Sequence, residues 1–142
     1  SKSGEKMNFF SSKLGVFSTL DDFKNSDIKS MPGNTALRVK EGVNIEVETI
    51  SLNQVIEENF NNKSPSYISV DTEGSEFEIL NSFNFSKYHP AVFTIEHNFT
   101  DHQQKIDKLM IDNNYVRIFR ELTAFDAWYI SSKAIENLRF AR

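Results

Sequence analysis

Two short apolar runs, near residues 67–71 and 91–95, end abruptly in acidic residues, and each is followed by a segment with helical spacing of apolar side chains. Such runs predict buried strands. A third segment, 45–50, alternates apolar and polar side chains, which is the period of a half-buried strand. Strands that alternate with helices predict right-handed crossovers in a parallel sheet. We therefore predict an α/β fold in which these three strands lie parallel and helices cover both faces.

Capping signals place the helices between these strands. Ser51–Gln54 forms a capping box before apolar side chains that recur as one stripe, which predicts a helix over about 52–60. A second helix is expected after the turn that ends the 67–71 strand. Thr100–Gln103 repeats the capping box and predicts a third helix.

The two ends of the chain follow other patterns. Segments 115–119 and 127–131 have the composition of two strands joined by a short loop, which predicts an antiparallel hairpin at one side of the sheet. Residues 6–20 resemble two short strands around a turn, and 21–34 is polar enough to be a loop. One domain of 142 residues is thus predicted, with an irregular part at 1–44, a core at 45–131 and a tail at 132–142.

Composition excludes several classes of function. The net charge of −4 comes without clustered Lys or Arg, so no nucleic-acid partner is expected. No apolar run approaches the ~20 residues of a membrane span, and no signal peptide is recognisable, so we expect a cytoplasmic protein without a membrane partner. The chain has no cysteine and no Gly-x-Gly motif, which excludes thiol chemistry and the usual phosphate-binding glycine loop.

Acidic side chains follow the two apolar runs, where an open α/β sheet places its ligands. Asp71 and Glu73 follow the first run, and Glu96 and His97 end the second. If the two strands are neighbours, three carboxylates and an imidazole meet at one edge of the sheet. Such a group suits proton abstraction, the orientation of hydroxyls or the binding of a cation.

A purely structural interpretation stands beside this one. Asp71 or Thr72 is of the type that caps a helix, and Glu73 is of the type that the helix dipole favours in a first turn. His97 alone is of the type that often serves structure. A metal site built from these acids and His97 has acceptable ligand types but no diagnostic spacing, so no metal is predicted.

Three segments together resemble the FkbM family of S-adenosylmethionine-dependent methyltransferases. They are Ile45–Ile56, Tyr67–Leu80 with its Asp-Thr-Glu-Gly-Ser-Glu core, and Pro90–Glu96. The family has an I-D-V-E-G-x-E pattern in the second segment and a P-x-x-x-x-E pattern in the third. The resemblance covers about 45–131 well and is weak at 5–20. The sequence departs from the family at three positions: Asn53, Thr72 and Asn114 replace the Asp, Val and Gly that the family usually has there.

The resemblance implies a fold and an activity. It implies the C-terminal half of a Rossmann-like class I methyltransferase sheet, without the cofactor glycine loop, and it leaves open that the 45–50 strand lies apart from the main sheet. It also implies methyl transfer from S-adenosylmethionine to a small-molecule hydroxyl acceptor, such as a sugar or natural product. Asp71, Glu73, Glu96 and His97 are then the expected catalytic residues, with Asp71 also near the cofactor. The alternative is a non-catalytic binding or assembly module derived from a methyltransferase half-domain.

A half-sheet has a consequence for assembly. Without the preceding strands, the apolar strand at 67–71 lies at an edge and presents backbone N–H and C=O groups that need partners. Either the N-terminal segments of this chain cover that edge, or a second copy pairs with it across a two-fold axis. We expect self-association as a homodimer.

Overall fold

The computed structural model describes residues 3–13, 18–23, 33, 42–97 and 102–140. Within them the strands are β1 (Lys6–Ser12), β2 (Thr19–Leu20), β3 (Gly42–Glu48), β4 (Tyr67–Val70), β5 (Val92–Glu96), β6 (Tyr115–Ile118) and β7 (Asp126–Ser131). The α-helices are α1 (Leu52–Asn59), α2 (Glu76–Asn81), α3 (His102–Asp112) and α4 (Ser132–Phe140), and a 3-10 helix spans Asp21–Phe23.

A four-stranded sheet of order β4-β5-β7-β6 carries the core. β4 and β5 are parallel, with Val70 opposite Ile95, so the predicted parallel pair is confirmed. The predicted hairpin is also confirmed, but β7 lies between β5 and β6 and runs antiparallel to both. The sheet is therefore mixed, and its α/β character is that of one parallel pair extended by a hairpin.

The predicted third parallel strand is wrong. β3 belongs to a separate sheet of order β2-β1-β3, in which β1 pairs antiparallel with both neighbours. The register joins Lys6 to Glu48 at one end and Ser12 to Gly42 at the other. A strand is confirmed there, but it is not half-buried as its alternation predicts: Val47 is half-buried, whereas Ile45 is 46% exposed. Such exposure does not fit the centre of a parallel sheet, whose strands are buried on both faces.

One face of the four-stranded sheet forms the hydrophobic core. Phe93 and Ile95 of β5 are fully buried there, and the helices add buried side chains to the same cluster. These helical residues are Ile56 of α1, Leu80 of α2, and Ile106 and Met110 of α3. The rings of Phe93 and Phe83 pack edge to face, with their centroids 5.8 Å apart. Apolar burial of this kind stabilises the sheet by about 1.5–3 kcal/mol for each large side chain.

The opposite face lacks such a layer among the described residues. Tyr67 and Ser69 of β4 and Val116 of β6 are exposed on that face, Tyr67 by 53% and Val116 by 44%. The predicted helices on both faces are therefore confirmed for the core face but not for the face that carries these side chains. In the described sheet β4 has a partner on one side only, so the predicted edge is present, and self-association through it stays a prediction.

Several local predictions can be compared with the structure. The Ser51 hydroxyl accepts a hydrogen bond from the Gln54 N–H at 3.2 Å and begins α1, as predicted. Most of the segment predicted as a tail, 132–142, forms α4, and the Ser131 hydroxyl accepts from the Ala134 N–H at 3.1 Å. Asn114 has φ of 65°, a left-handed conformation that Asn tolerates where other chains use Gly.

Some predictions fall outside the described residues. Of the loop predicted at 21–34, only Asp21–Phe23 and Gly33 are described, and the first three form the 3-10 helix. Thr100 of the second predicted capping box also lies outside them. The two short strands predicted at 6–20 are confirmed where they are described, as β1 and β2.

Candidate carboxylate site at the strand ends

The three predicted carboxylates converge. Asp71 directly follows β4 and Glu96 ends the parallel neighbour β5, so both strands deliver an acid to the same edge of the sheet. Carboxylate oxygens of Asp71, Glu73 and Glu96 all lie within 4.8 Å of one another. Asp71 is exposed, and Glu73 and Glu96 are half-buried. The cluster is therefore open to a ligand on one side and supported by protein on the other.

A buried carboxylate holds the turn that carries two of these acids. Glu76 is 4% exposed, and its Oε1 accepts hydrogen bonds from the Thr72 N–H at 2.8 Å and the Gly74 N–H at 3.0 Å. The Thr72 hydroxyl donates to the same oxygen at 2.9 Å. Bonds to an ionised acceptor are stronger than neutral ones. The sequence reasoning identified Glu76 only as a motif match, because the spacing of one acid does not reveal which backbone groups it meets.

The same turn is shaped by its backbone and by the second sheet. Glu73 has φ of 57° and Gly74 has φ of 122°, so the chain reverses sharply between β4 and α2. Glycine adopts such angles without cost, whereas Glu73 is held there by its surroundings. One of these contacts comes from β2, where the hydroxyl of the buried Thr19 donates to the Glu73 carbonyl at 2.9 Å. The small sheet therefore braces the turn.

The structural alternatives for Asp71 and Glu73 are wrong. α2 begins at Glu76 and its N-cap residue is Ser75, so neither Asp71 nor Thr72 caps it. The acids in its first turn are Glu76 and Glu78, so Glu73 precedes the turn that the dipole stabilises. Asp71 and Glu73 thus remain without a role in capping this helix.

His97 lies away from the cluster. His97 directly follows β5, and its ring nitrogens do not join the group that the three carboxylates form. The imidazole is 4% exposed, and its Nε2 lies 3.4 Å from Nη2 of Arg117. Arg117 also donates to the Asp107 carboxylate at 3.0 and 3.2 Å, and the Tyr129 hydroxyl donates to that carboxylate at 2.7 Å. His97 therefore belongs to a buried polar network beneath α3.

Burial and the neighbouring Arg117 guanidinium hold the pKa of His97 below its usual value of 6.5. The unfolded chain then binds a proton at this residue at a higher pH than the folded chain does. The stability of the fold should accordingly decrease as the pH falls below about 6.5.

Urea unfolding at pH 7.5 and 5.5 tests this for the wild type and for His97→Gln. We expect a smaller pH-dependent loss of unfolding free energy in the variant, because it lacks the imidazole whose pKa folding lowers. Equal losses of unfolding free energy in the two proteins would contradict a contribution of His97 to the pH dependence.

The chemistry of the cluster follows from its three acids. Ionised carboxylates accept protons and hydrogen bonds from hydroxyl groups, which orients or activates an oxygen nucleophile. Their oxygens are also of the ligand type that Mg²⁺ and Ca²⁺ prefer. Within the described residues nothing besides the acidic cluster itself indicates an ion.

Comparisons with known proteins give one match. A family model described as the methyltransferase FkbM domain matches residues 5–126. A search of curated proteins and a search of solved structures each gave no match. Among the described residues, no helix is both long and apolar enough to cross a membrane.

Proposed function

The chain belongs to the methyltransferase FkbM domain family, and from this premise we propose that it takes part in S-adenosylmethionine-dependent O-methyl transfer to a hydroxyl of a small-molecule acceptor. The observation that supports the proposal best is the convergence of Asp71, Glu73 and Glu96 within 4.8 Å. The acceptor that we propose is a sugar or natural-product hydroxyl, in line with the resemblance of the sequence.

The residues around the cluster fit part of the proposed cofactor. A groove of about 210 Å³ beside Asp71 has an apolar wall that includes Leu52 and Val55, which suits an uncharged body next to an acidic group. Carboxylates also complement a sulfonium charge. The sequence has no Gly-x-Gly turn for the rest of the cofactor, so the fit concerns its methyl-donating end. When bound, S-adenosylmethionine supplies an activated methyl group.

This chain's own residues have separate tasks in the proposed reaction. Asp71, the exposed member, accepts the proton of the acceptor hydroxyl while the hydroxyl oxygen becomes the nucleophile. Glu73 and Glu96 orient that hydroxyl by accepting hydrogen bonds. Glu76 keeps the turn in place through its bonds to Thr72 and Gly74. His97 lies outside this group and has no proposed contact with the acceptor.

Replacing Asp71 or Glu96 tests the proposed roles. Asp71→Asn and Glu96→Gln keep the size of the side chain and remove its basic oxygen, so each should lower the transfer rate by about 100-fold or more. The measurement is methyl transfer to a hydroxyl acceptor by the intact protein. Asp112→Asn is the matched control, because Asp112 is exposed on α3 and pairs there with Lys108 at 2.6 Å. Unchanged rates in the first two variants would contradict the roles.

The second candidate is a non-catalytic binding or assembly module. The single-sided pairing of β4 in the described sheet favours it, because such an edge can accept a further strand. Calorimetric titration of this chain with S-adenosylmethionine separates the candidates. Saturable binding supports the methyltransferase proposal, and the absence of heat at millimolar cofactor supports the module.

A further inference from the structure

A cleft of about 410 Å³ lies between the three-stranded sheet and α2. Its volume is within the range of about 300–1,000 Å³ that small-molecule pockets occupy. The apolar part of its wall consists of Met7, Leu20, Phe23, Val47, Ile50 and Ile79. The buried Ser75, next to the turn that carries Glu73, also lines it. The cleft is therefore an apolar space that adjoins the back of the carboxylate site.

The cleft continues towards the carboxylate cluster. Ile50 and Ile79 line both the cleft and the smaller groove that reaches Asp71. A ligand body in the cleft would therefore lie beside the groove, with these two side chains between it and Asp71. This continuity relates the cleft to the proposed reaction without making it part of the carboxylate cluster.

The charges around the cleft are of one sign. Four acidic residues line it together with the apolar wall, and no Lys or Arg does so among the described residues. The acids are Glu5, Asp22, Glu48 and Glu78. Glu48 lies opposite Lys6 in the register, on the face of the sheet where Lys6 binds Glu46 at 2.6 Å, so the charges on the side of the cleft are those of the other three acids. An apolar space surrounded by carboxylates raises the local concentration of cations and disfavours anions.

We propose that this cleft binds an organic cation with an apolar body, such as an alkyl- or arylammonium. The apolar body is buried against Met7, Val47 and Ile79, and its charge is complemented by Glu5 and Asp22. Any role of this ligand in methyl transfer rests on the proposed function, whereas its binding does not.

Probe titrations followed by methyl NMR test the proposal. Benzyltrimethylammonium should shift the Met7 and Ile79 methyl signals in a saturable manner, with an affinity about tenfold above that of benzenesulfonate. Higher salt should weaken binding of the cation and leave neutral benzyl alcohol unaffected. Equal binding of cation and anion, or no shift at Met7 and Ile79, overturns the proposal.

Two charge-matched double variants locate the effect. Glu5→Gln with Asp22→Asn should weaken binding of the cation about fivefold and leave benzyl alcohol unchanged, because only the charge at the cleft is removed. Glu46→Gln with Glu58→Gln removes the same net charge from exposed residues that do not line the cleft, and should have no effect. Equal weakening in both double variants overturns the proposal.

The outcome is separable from that of the proposed function. The probe titration requires no methyl transfer, so its failure removes the cleft ligand and leaves the carboxylate roles in place. Failure of the Asp71→Asn test removes those roles and leaves probe binding as it stands.

Discussion

Replacing Arg117 with methionine should lower the free energy of unfolding by about 3 kcal/mol, because it leaves a largely buried carboxylate without its cation. The Arg117 side chain is 5% exposed and binds Asp107, whose side chain is 21% exposed. Methionine fills a similar volume but donates no hydrogen bond, so Asp107 keeps only the Tyr129 hydroxyl at 2.7 Å and the distant Arg120 at 3.9 Å. Because Asp107 keeps some exposure to water, the expected loss of unfolding free energy is at the lower end of the range for breaking a buried ion pair.

Urea denaturation measures this loss as a lower transition midpoint. Lys108→Met is the matched control, since Lys108 pairs with Asp112 on the exposed side of α3 and such pairs contribute about 0.5 kcal/mol or less. The double variant Arg117→Met with Asp107→Leu should recover much of the stability, because both buried charges are then removed. A loss no greater than that of Lys108→Met would show that the network is not a buried ion pair in solution.

Replacing Glu76 with alanine should cost about 3 kcal/mol, and it should also disorganise the carboxylate cluster. The Thr72 and Gly74 N–H groups both donate to Glu76, and each loses its partner in the variant. An unsatisfied donor costs about 1–3 kcal/mol when it is fully buried, and Thr72 and Gly74 are half-buried, so the expected cost is for the two donors together. Glu76→Gln retains an accepting oxygen without the charge, so its loss should be about half as large.

Hydrogen exchange at the Thr72 and Gly74 amides, measured beside urea unfolding, separates the local effect from the global one. Both amides should exchange faster in Glu76→Ala than the change in global stability accounts for. Glu58→Ala is the control, because Glu58 is an exposed residue of α1 that accepts from the Gln54 side chain. Unchanged exchange in Glu76→Ala would mean that the turn is held by its backbone alone.

Glu76 and the Arg117–Asp107 pair support the site in different ways. Glu76 acts from within the turn, while Arg117 and Asp107 tie the end of the sheet to α3 through the network that includes His97. The Glu76→Ala variant should therefore affect methyl transfer and local exchange together. The Arg117→Met variant should act mainly through the stability of the whole fold.

The sequence by itself determined the elements that depend on local pattern. The apolar runs at β4 and β5, the Ser51 cap and the hairpin of β6 and β7 are all confirmed, because burial and capping leave a periodic or positional signal within a few residues. The convergence of Asp71 and Glu96 also followed from the sequence, since neighbouring parallel strands end at the same edge.

Only the tertiary structure decided which partners these elements meet. The alternation of β3 indicates a strand, but it shows neither how exposed the strand is nor that β1, far away in sequence, pairs with it. The position of β7 between β5 and β6, the burial of His97 against Arg117 and the bonds of Glu76 likewise depend on contacts between distant segments. Such contacts are chosen by the packing of the whole chain, because the period of a strand specifies its faces and leaves its neighbours open.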